Sequence, residues 1–93
     1  MANNLVVSYD LVSPGQNYAK VIAAVKALGS WAKIDQSVWY VNSSYTARQA
    51  ADSVAASMDS NDKVFVVDAT NNNAAWNTLP AEVSKHIIDQ WGK

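Results

Sequence analysis

The chain has 93 residues and a formal net charge of −1, a size that suits one domain with a small core. Hydrophobic residues make up 49% of it, with four Trp and four Tyr, which excludes a disordered chain. The lack of cysteine excludes disulfides, Cys-based zinc sites and thiol nucleophiles. The slightly acidic balance argues against strong nonspecific binding to DNA or RNA.

The N-terminal segment lacks the basic, apolar and cleavable pattern of a signal peptide, so we expect an intracellular, cytoplasmic protein. We expect no association with a membrane, because no apolar stretch approaches the roughly 20 residues that a spanning helix needs. A chain of this size buries only a modest fraction of its surface, and its aromatic content is high. Both features favour a homodimer.

The first two elements are predicted to be a strand and a helix. "LVVSYDL", residues 5–11, is rich in β-branched residues and alternates with Ser8 and Asp10, as a strand does. Apolar residues at helical spacing then predict a helix from about Gln16 to Leu28, with Gly29 as its stop. The loop between the two elements contains Pro14 and Gly15.

A hairpin and a second helix follow. "SWAKI" and "SVWYV" are short apolar runs separated by Asp35 and Gln36, which predicts two strands joined by a tight turn. Thr46 with Gln49 three residues later forms a capping-box pattern at the start of a helix. The predicted inner face of that helix consists of Ala47, Ala50, Ala51, Val54 and Met58.

"KVFVVDA" predicts the fourth strand, and Pro80 is well suited to the first turn of a final helix. In that helix Val83, Ile87, Ile88 and Trp91 are predicted to share one face and to pack on the sheet or on a partner subunit.

The order β-α-β-β-α-β predicts an α+β, ferredoxin-like sandwich with an additional C-terminal helix at residues 79–92. Residues 1–93 form a single domain in this interpretation, because no linker or repeat divides them. Right-handed crossovers would place the first and third strands centrally and both crossover helices on one face of the sheet. The other face would be bare unless the last helix or a second subunit covers it.

Strand directions in this topology bring several polar residues to one end of the sheet. The end of the first strand, the hairpin turn and the start of the fourth strand meet there, which groups Asp10, Asp35, Gln36, Ser37 and Asp62. Asp68 and Thr46 fall at the opposite end. Carboxylates at one edge suit Mg²⁺, which prefers oxygen ligands. Acidic residues also commonly end strands and start turns, so both readings stay open.

Three segments resemble the Cas2 family of CRISPR-associated proteins and its stand-alone relatives: "LVVSYDL", "ALGSWAKIDQSVWYV" and "DSNDKVFVVDA". The likeness covers about residues 5–69 and rests on their order and spacing. It implies a ferredoxin-like homodimer, in which the Asp ending the first strand faces its mate. Asp10 holds that position, and the resemblance implies a catalytic and metal-binding role for it with Mg²⁺ or Mn²⁺. Tyr9, Gln36 and Ser37 match the flanking pattern and are the implied substrate-binding residues.

The sequence departs from the family at Tyr40 and Val41, where many Cas2 proteins carry an acidic residue, and in the C-terminal region. A helix in that region argues against Cas1 as a partner. Two functions stay open. The first is a divalent-metal-dependent endonuclease, including the related toxin-like ribonucleases, with its site at the dimer cleft. The second is a noncatalytic module that binds a nucleotide signal, an oligonucleotide or a protein partner in a defence, counter-defence or toxin system.

Other candidate sites are weaker. His86 is the only histidine, so it cannot supply a His-rich metal site, and we expect a surface or partly buried position. Ser37 has no nearby His in sequence or topology, which argues against a Ser-His-Asp nucleophile. The four tryptophans could stack on bases, although such residues more often fill a core or an interface. They are Trp31, Trp39, Trp76 and Trp91.

Overall fold

A computed structural model describes residues 2–11 and 18–92. These residues form four strands and three helices: β1 (Asn3–Asp10), α1 (Tyr18–Lys26), β2 (Gly29–Asp35), β3 (Val38–Ser43), α2 (Ala47–Ala55), β4 (Lys63–Asp68) and α3 (Ala81–Trp91). Pro14, Gly15, Gln16 and the predicted start of the first helix lie outside the described residues. None of the helices in the described part of the chain has the length and apolar character needed to cross a membrane.

The strands form one antiparallel sheet in the order β2-β3-β1-β4, so the fold is α+β. The prediction that β1 and β3 are central is confirmed. Leu5 lies opposite Val41 on β3 and Asp68 on β4, which fixes the register on both sides of β1. The arrangement is compatible with a ferredoxin-like fold.

The main core lies on the face of the sheet that carries α1 and α2. Because side chains alternate along a strand, the odd-numbered residues of β1 point to this face. Leu5 and Val7 are fully buried there, together with Val25 of α1 and Val54 of α2. The small Ala50 is also fully buried, which allows α2 to approach the sheet closely. This core places both crossover helices on one face, as predicted.

The opposite face carries α3, which packs over β2 and β3. Its inner residues Val83, Ile87 and Trp91 form a second cluster with Ala32 and Tyr40. The prediction that Ile88 shares this face is wrong, because its side chain is 64% exposed. Consecutive helical residues differ by about 100° around the axis, so Ile87 and Ile88 cannot both face the sheet directly.

Local signals predicted the start of α2 well, whereas two other element ends are displaced by one or two residues. The Thr46–Gln49 capping box is present in both directions at the start of α2. The hairpin turn lies at Gln36 and Ser37, one residue later than predicted, because Asp35 is still paired with Val38 across a β-bulge. The helix α1 ends at Lys26, two residues before the predicted end at Leu28, and Gly29 is the first residue of β2.

Candidate functional site

The end of β1, the β2–β3 turn and the start of β4 meet at one end of the sheet, as the strand directions predict. Asp10 lies opposite Lys63, the first residue of β4. The backbone N–H of Tyr9 donates to the carbonyl of Ser37 at 3.1 Å, so the turn adjoins the end of β1. Gln36 belongs to the same turn, and Asp62 directly precedes β4. This end of the sheet is therefore the candidate site.

Tyr9 is a buried residue that supports the candidate site through hydrogen bonds. Its side chain is only 5% exposed. Its hydroxyl accepts a hydrogen bond from the indole N–H of Trp39 at 3.2 Å and donates a long one, at 3.5 Å, to the carbonyl of Gln36. Tyr9 therefore links the core to the hairpin turn. Gln36 is exposed and Ser37 half-buried, so the turn itself is accessible, and a role of these three residues in substrate binding stays a prediction.

Two of the three predicted carboxylates stabilise turns. Asp35 Oδ1 accepts the backbone N–H of Gln36 at 2.8 Å, and Asp62 Oδ2 accepts the backbone N–H of Asp59 at 3.0 Å. Such short-range bonds are the ordinary reason for Asp in turns. Asp10 is exposed, and its cross-strand neighbour is a lysine.

The described residues of one chain offer little support for a Mg²⁺ or Mn²⁺ site. Within residues 2–11 and 18–92, no three His, Cys, Asp or Glu side chains lie together as a potential ligand group. Asp10 supplies one carboxylate, and the ammonium group of neighbouring Lys63 disfavours a second positive charge. In the dimer that the Cas2 likeness implies, the second Asp10 would supply a further carboxylate ligand.

An open surface adjoins Asp10 on the face that carries α3. Because α3 covers β2 and β3, part of the surface of β1 and β4 stays uncovered. Phe65 is 68% exposed and Val67 39% exposed. Alternation along the strands puts Lys63, Phe65 and Val67 on the same face as Ser8 and Asp10. We call these five residues the Phe65 patch.

The Phe65 patch borders a shallow depression of about 340 Å³ lined by residues 8–10 and 63–65. The Phe65 patch combines an exposed aromatic ring with one cationic, one anionic and one hydroxyl side chain. Sequence reasoning missed it, because "KVFVVDA" could be read only as a strand. The alternation that puts Lys63 and Phe65 on one face was visible, but the partial cover by α3 was not.

His86 is half-buried, in agreement with the prediction. Its Nε2 lies 3.1 Å from Ser30 Oγ, and its ring packs edge-on against Tyr40 at 6.5 Å between centroids. Both contacts connect α3 to the sheet. This Ser–His contact was not predicted, since only the fold brings β2 and α3 together.

The tryptophans mainly serve packing. Trp39 is buried and makes an edge contact with Trp31, with ring centroids 5.4 Å apart. Trp31 is 40% exposed, and the Lys26 ammonium lies 4.5 Å from its ring centre. Trp76 and Trp91 belong to the cluster under α3. The ring with the greatest exposure near Asp10 is therefore Phe65 and not a tryptophan.

Comparison with protein-family models, curated proteins and solved structures gave no match to this chain. The likeness to the Cas2 family thus stays a prediction that rests on the residues quoted above.

Proposed function

We propose that the chain is a Cas2-like, ferredoxin-like homodimer that acts as a noncatalytic binding module for a nucleotide or short oligonucleotide. The observation that carries this proposal is the Phe65 patch, where an exposed aromatic ring stands beside Lys63 and Asp10. The ligand would lie on the open half of the sheet, next to the end of β1.

The chemistry of the patch suits a nucleotide. A base stacked on an exposed aromatic ring typically contributes about 1–3 kcal/mol, whatever the base. Lys63 lies two residues from Phe65 on the same strand face, so its ammonium group is placed to meet a phosphate. The Asp10 carboxylate accepts hydrogen bonds, which base amino groups and ribose hydroxyls donate.

The charge balance favours a small ligand over a long polymer. The chain carries seven Lys and Arg against eight Asp and Glu. Proteins that hold extended nucleic acid neutralise many phosphates with basic side chains. One lysine beside one aromatic ring is better matched to a single nucleotide or a few linked ones.

The nuclease hypothesis is less well supported. It needs two Asp10 carboxylates around a metal ion, whereas Asp35 and Asp62 already accept turn hydrogen bonds. Metal chemistry at Asp10 would therefore depend on a dimer that brings the two Asp10 residues together. If it did, Mg²⁺ or Mn²⁺ would stabilise the folded dimer, and Asp10→Asn would abolish that effect.

The test is to titrate the protein with AMP and with a four-residue oligoadenylate. Binding is measured by calorimetry and by changes in the amide chemical shifts. We expect shifts centred on β1 and β4, and a roughly 5- to 150-fold weaker affinity in Phe65→Ala. The control is Ile88→Ala, which removes an equally exposed apolar side chain from α3 and should bind as the wild type does.

The second arm incubates the protein with Mn²⁺ and labelled single-stranded RNA or duplex DNA. We expect no cleavage and no change in melting temperature. Cleavage that needs Mn²⁺ and disappears in Asp10→Asn would replace the binding module with the nuclease. Absence of binding to both nucleotide probes at millimolar concentration would refute the proposed ligand.

A further inference from the structure

The strand β4 lies at the edge of the sheet and pairs only with β1 among the described strands. The N–H of Ala69 donates to the carbonyl of Asn4 at 2.7 Å, which identifies the backbone groups that face β1. Backbone groups alternate in direction along an antiparallel strand. Lys63, Phe65 and Val67 therefore bond toward β1, whereas the N–H and C=O groups of Val64, Val66 and Asp68 point away from the sheet.

The two edges of the sheet differ in how they are protected. The β2 edge carries Lys33 in its middle and a β-bulge between Lys33 and Asp35. Bulges and lysines are common devices against edge-to-edge pairing. The β4 edge has no bulge, because its register with β1 is regular, and its charged residues Lys63 and Asp68 stand only at its two ends. An apolar edge of this kind is a template for another strand.

The β4 strand is complementary to itself. In an antiparallel pair with its twofold axis at Val66, Val66 faces Val66 of the second copy, and Val64 faces Asp68 of that copy. All three outward-pointing residues of each copy then lie in hydrogen-bonded pairs, which gives six backbone hydrogen bonds across the interface. A shift that puts the axis at Phe65 aligns Asp62 with Asp68, two like charges, and is disfavoured.

The side chains agree with the same pairing. Asp68 of one copy lies opposite Val64 of the other, on the face of the sheet that carries Arg48, so opposite charges meet there. Arg48 of α2 lies beside Val64, on the face to which Asp68 also points, in a groove of about 310 Å³. The small side chains of Ala47 and Ala51 line this groove and leave room for residues of a second copy. On the opposite face, Phe65 meets Val67.

We propose that a second copy of this chain binds along β4 and that the two sheets join into one continuous eight-stranded sheet. This inference rests on the homodimer of the proposed function, but it assigns an interface other than the one that the Cas2 likeness implies, in which the two Asp10 residues face each other. The pairing brings two Phe65 patches side by side on one face. It places the two Asp10 residues at opposite ends of the paired strands, about 20 Å apart along the strand direction. This dimer cannot form a metal site from paired Asp10 carboxylates.

Cysteine cross-linking tests the interface directly, since the wild-type chain contains no cysteine. In a hydrogen-bonded antiparallel pair the Cα atoms are about 5.5 Å apart, which is within the range of disulfides. We expect Val66→Cys to form a covalent dimer on mild oxidation. Phe65→Cys alone should not, because two copies of residue 65 lie diagonally at about 7–8 Å. A mixture of Phe65→Cys and Val67→Cys should cross-link, because those residues face each other.

The control is Ile88→Cys, which is exposed on α3 and remote from β4. Light scattering of the wild type and melting curves of each variant show whether the dimer and the fold are intact. A dimer in which Val66→Cys cross-links no faster than Ile88→Cys would overturn the edge interface and leave the homodimer standing. A monomeric wild type would overturn both and leave the edge available to a strand of another protein. Nucleotide titration reports on the Phe65 patch independently of these outcomes.

Discussion

Tyr40 donates its phenolic hydrogen to Asn4 Oδ1 at 2.7 Å, inside the cluster between the sheet and α3. Both side chains are buried, Tyr40 to 1% exposure and Asn4 to 2%. The same Asn4 donates from Nδ2 to the carbonyl of Trp91 at 2.8 Å. One buried amide thus links β1, β3 and the last turn of α3.

Tyr40→Phe should lower the free energy of unfolding by about 1 kcal/mol at neutral pH, the usual contribution of one hydrogen bond. Burial raises the pKa of Tyr40 above its ordinary value of 10.0, partly opposed by the Asn42 side chain. The folded state then holds this proton more tightly than the unfolded state, so this contribution is complete below pH 10. It is lost as pH rises through the folded pKa. Urea unfolding between pH 7 and 11 should show a smaller difference between wild type and variant at the alkaline end. A constant difference would contradict this role.

Asn4→Ala should destabilise the protein by roughly 1–3 kcal/mol, because it leaves the Tyr40 hydroxyl and the Trp91 carbonyl without this partner. The matched control is Asn3→Ala, whose amide bonds to the carbonyl of Tyr45 at an exposed position. That change should cost about 0.5 kcal/mol or less. Equal losses in the two variants, measured by thermal unfolding, would show that Asn4 is not the link that we infer.

The packing of α3 gives a second matched pair. Ile87→Ala removes a side chain that is 3% exposed and should cost about 2–5 kcal/mol. Ile88→Ala removes the same atoms from a side chain that is 64% exposed and should change stability by no more than about 0.5 kcal/mol. Chemical denaturation of both variants measures the difference. Similar effects would mean that α3 docks through another face.

The start of α2 should depend on the Thr46 hydroxyl, which accepts the backbone N–H of Gln49 at 3.1 Å. Thr46→Ala should cost about 1 kcal/mol, whereas Thr46→Ser keeps the hydroxyl and should cost less. Amide hydrogen exchange in the first turn of α2 is the sharper measurement, because loss of the cap should speed exchange there before it affects the sheet. Unchanged exchange would indicate that packing alone holds this end.

Elements with a regular period were predictable from sequence. The alternation in β1 and the helical spacing in α1 gave the right element types, and strand directions brought Asp10 to the hairpin turn. Gly29 was interpreted as a helix stop, whereas it lies in β2 where a Cβ would overlap the carbonyl oxygen of Asn42. The need for a glycine at this position comes from the neighbouring strand β3, whose Asn42 is 13 residues away in sequence.

The buried hydrogen bonds of Asn4 and the exposure of the Phe65 patch could not be predicted either, because they also depend on elements that are distant in sequence. Asn4 is polar and precedes an apolar run, so its pattern is that of a strand end, although its side chain is buried under α3. Phe65 lies in a segment that was predicted only as a strand, and its exposure follows from how far α3 extends over the sheet. Both depend on where α3 docks, and periodicity does not determine docking. The position of Asp10 beside the hairpin turn was therefore predicted, whereas the exposed ring of Phe65 near it was missed.

The contact between Trp31 and Trp39 gives the protein a built-in optical reporter. The two indoles belong to neighbouring strands of one hairpin, with ring centroids 5.4 Å apart and planes inclined by 68°. Electronic transitions of indoles this close couple, so circular dichroism should show a paired positive and negative band of aromatic origin. Trp31→Phe should remove that signature while the backbone signal persists. Stopped-flow refolding followed at this band would time the closure of the β2–β3 hairpin separately from the docking of α3.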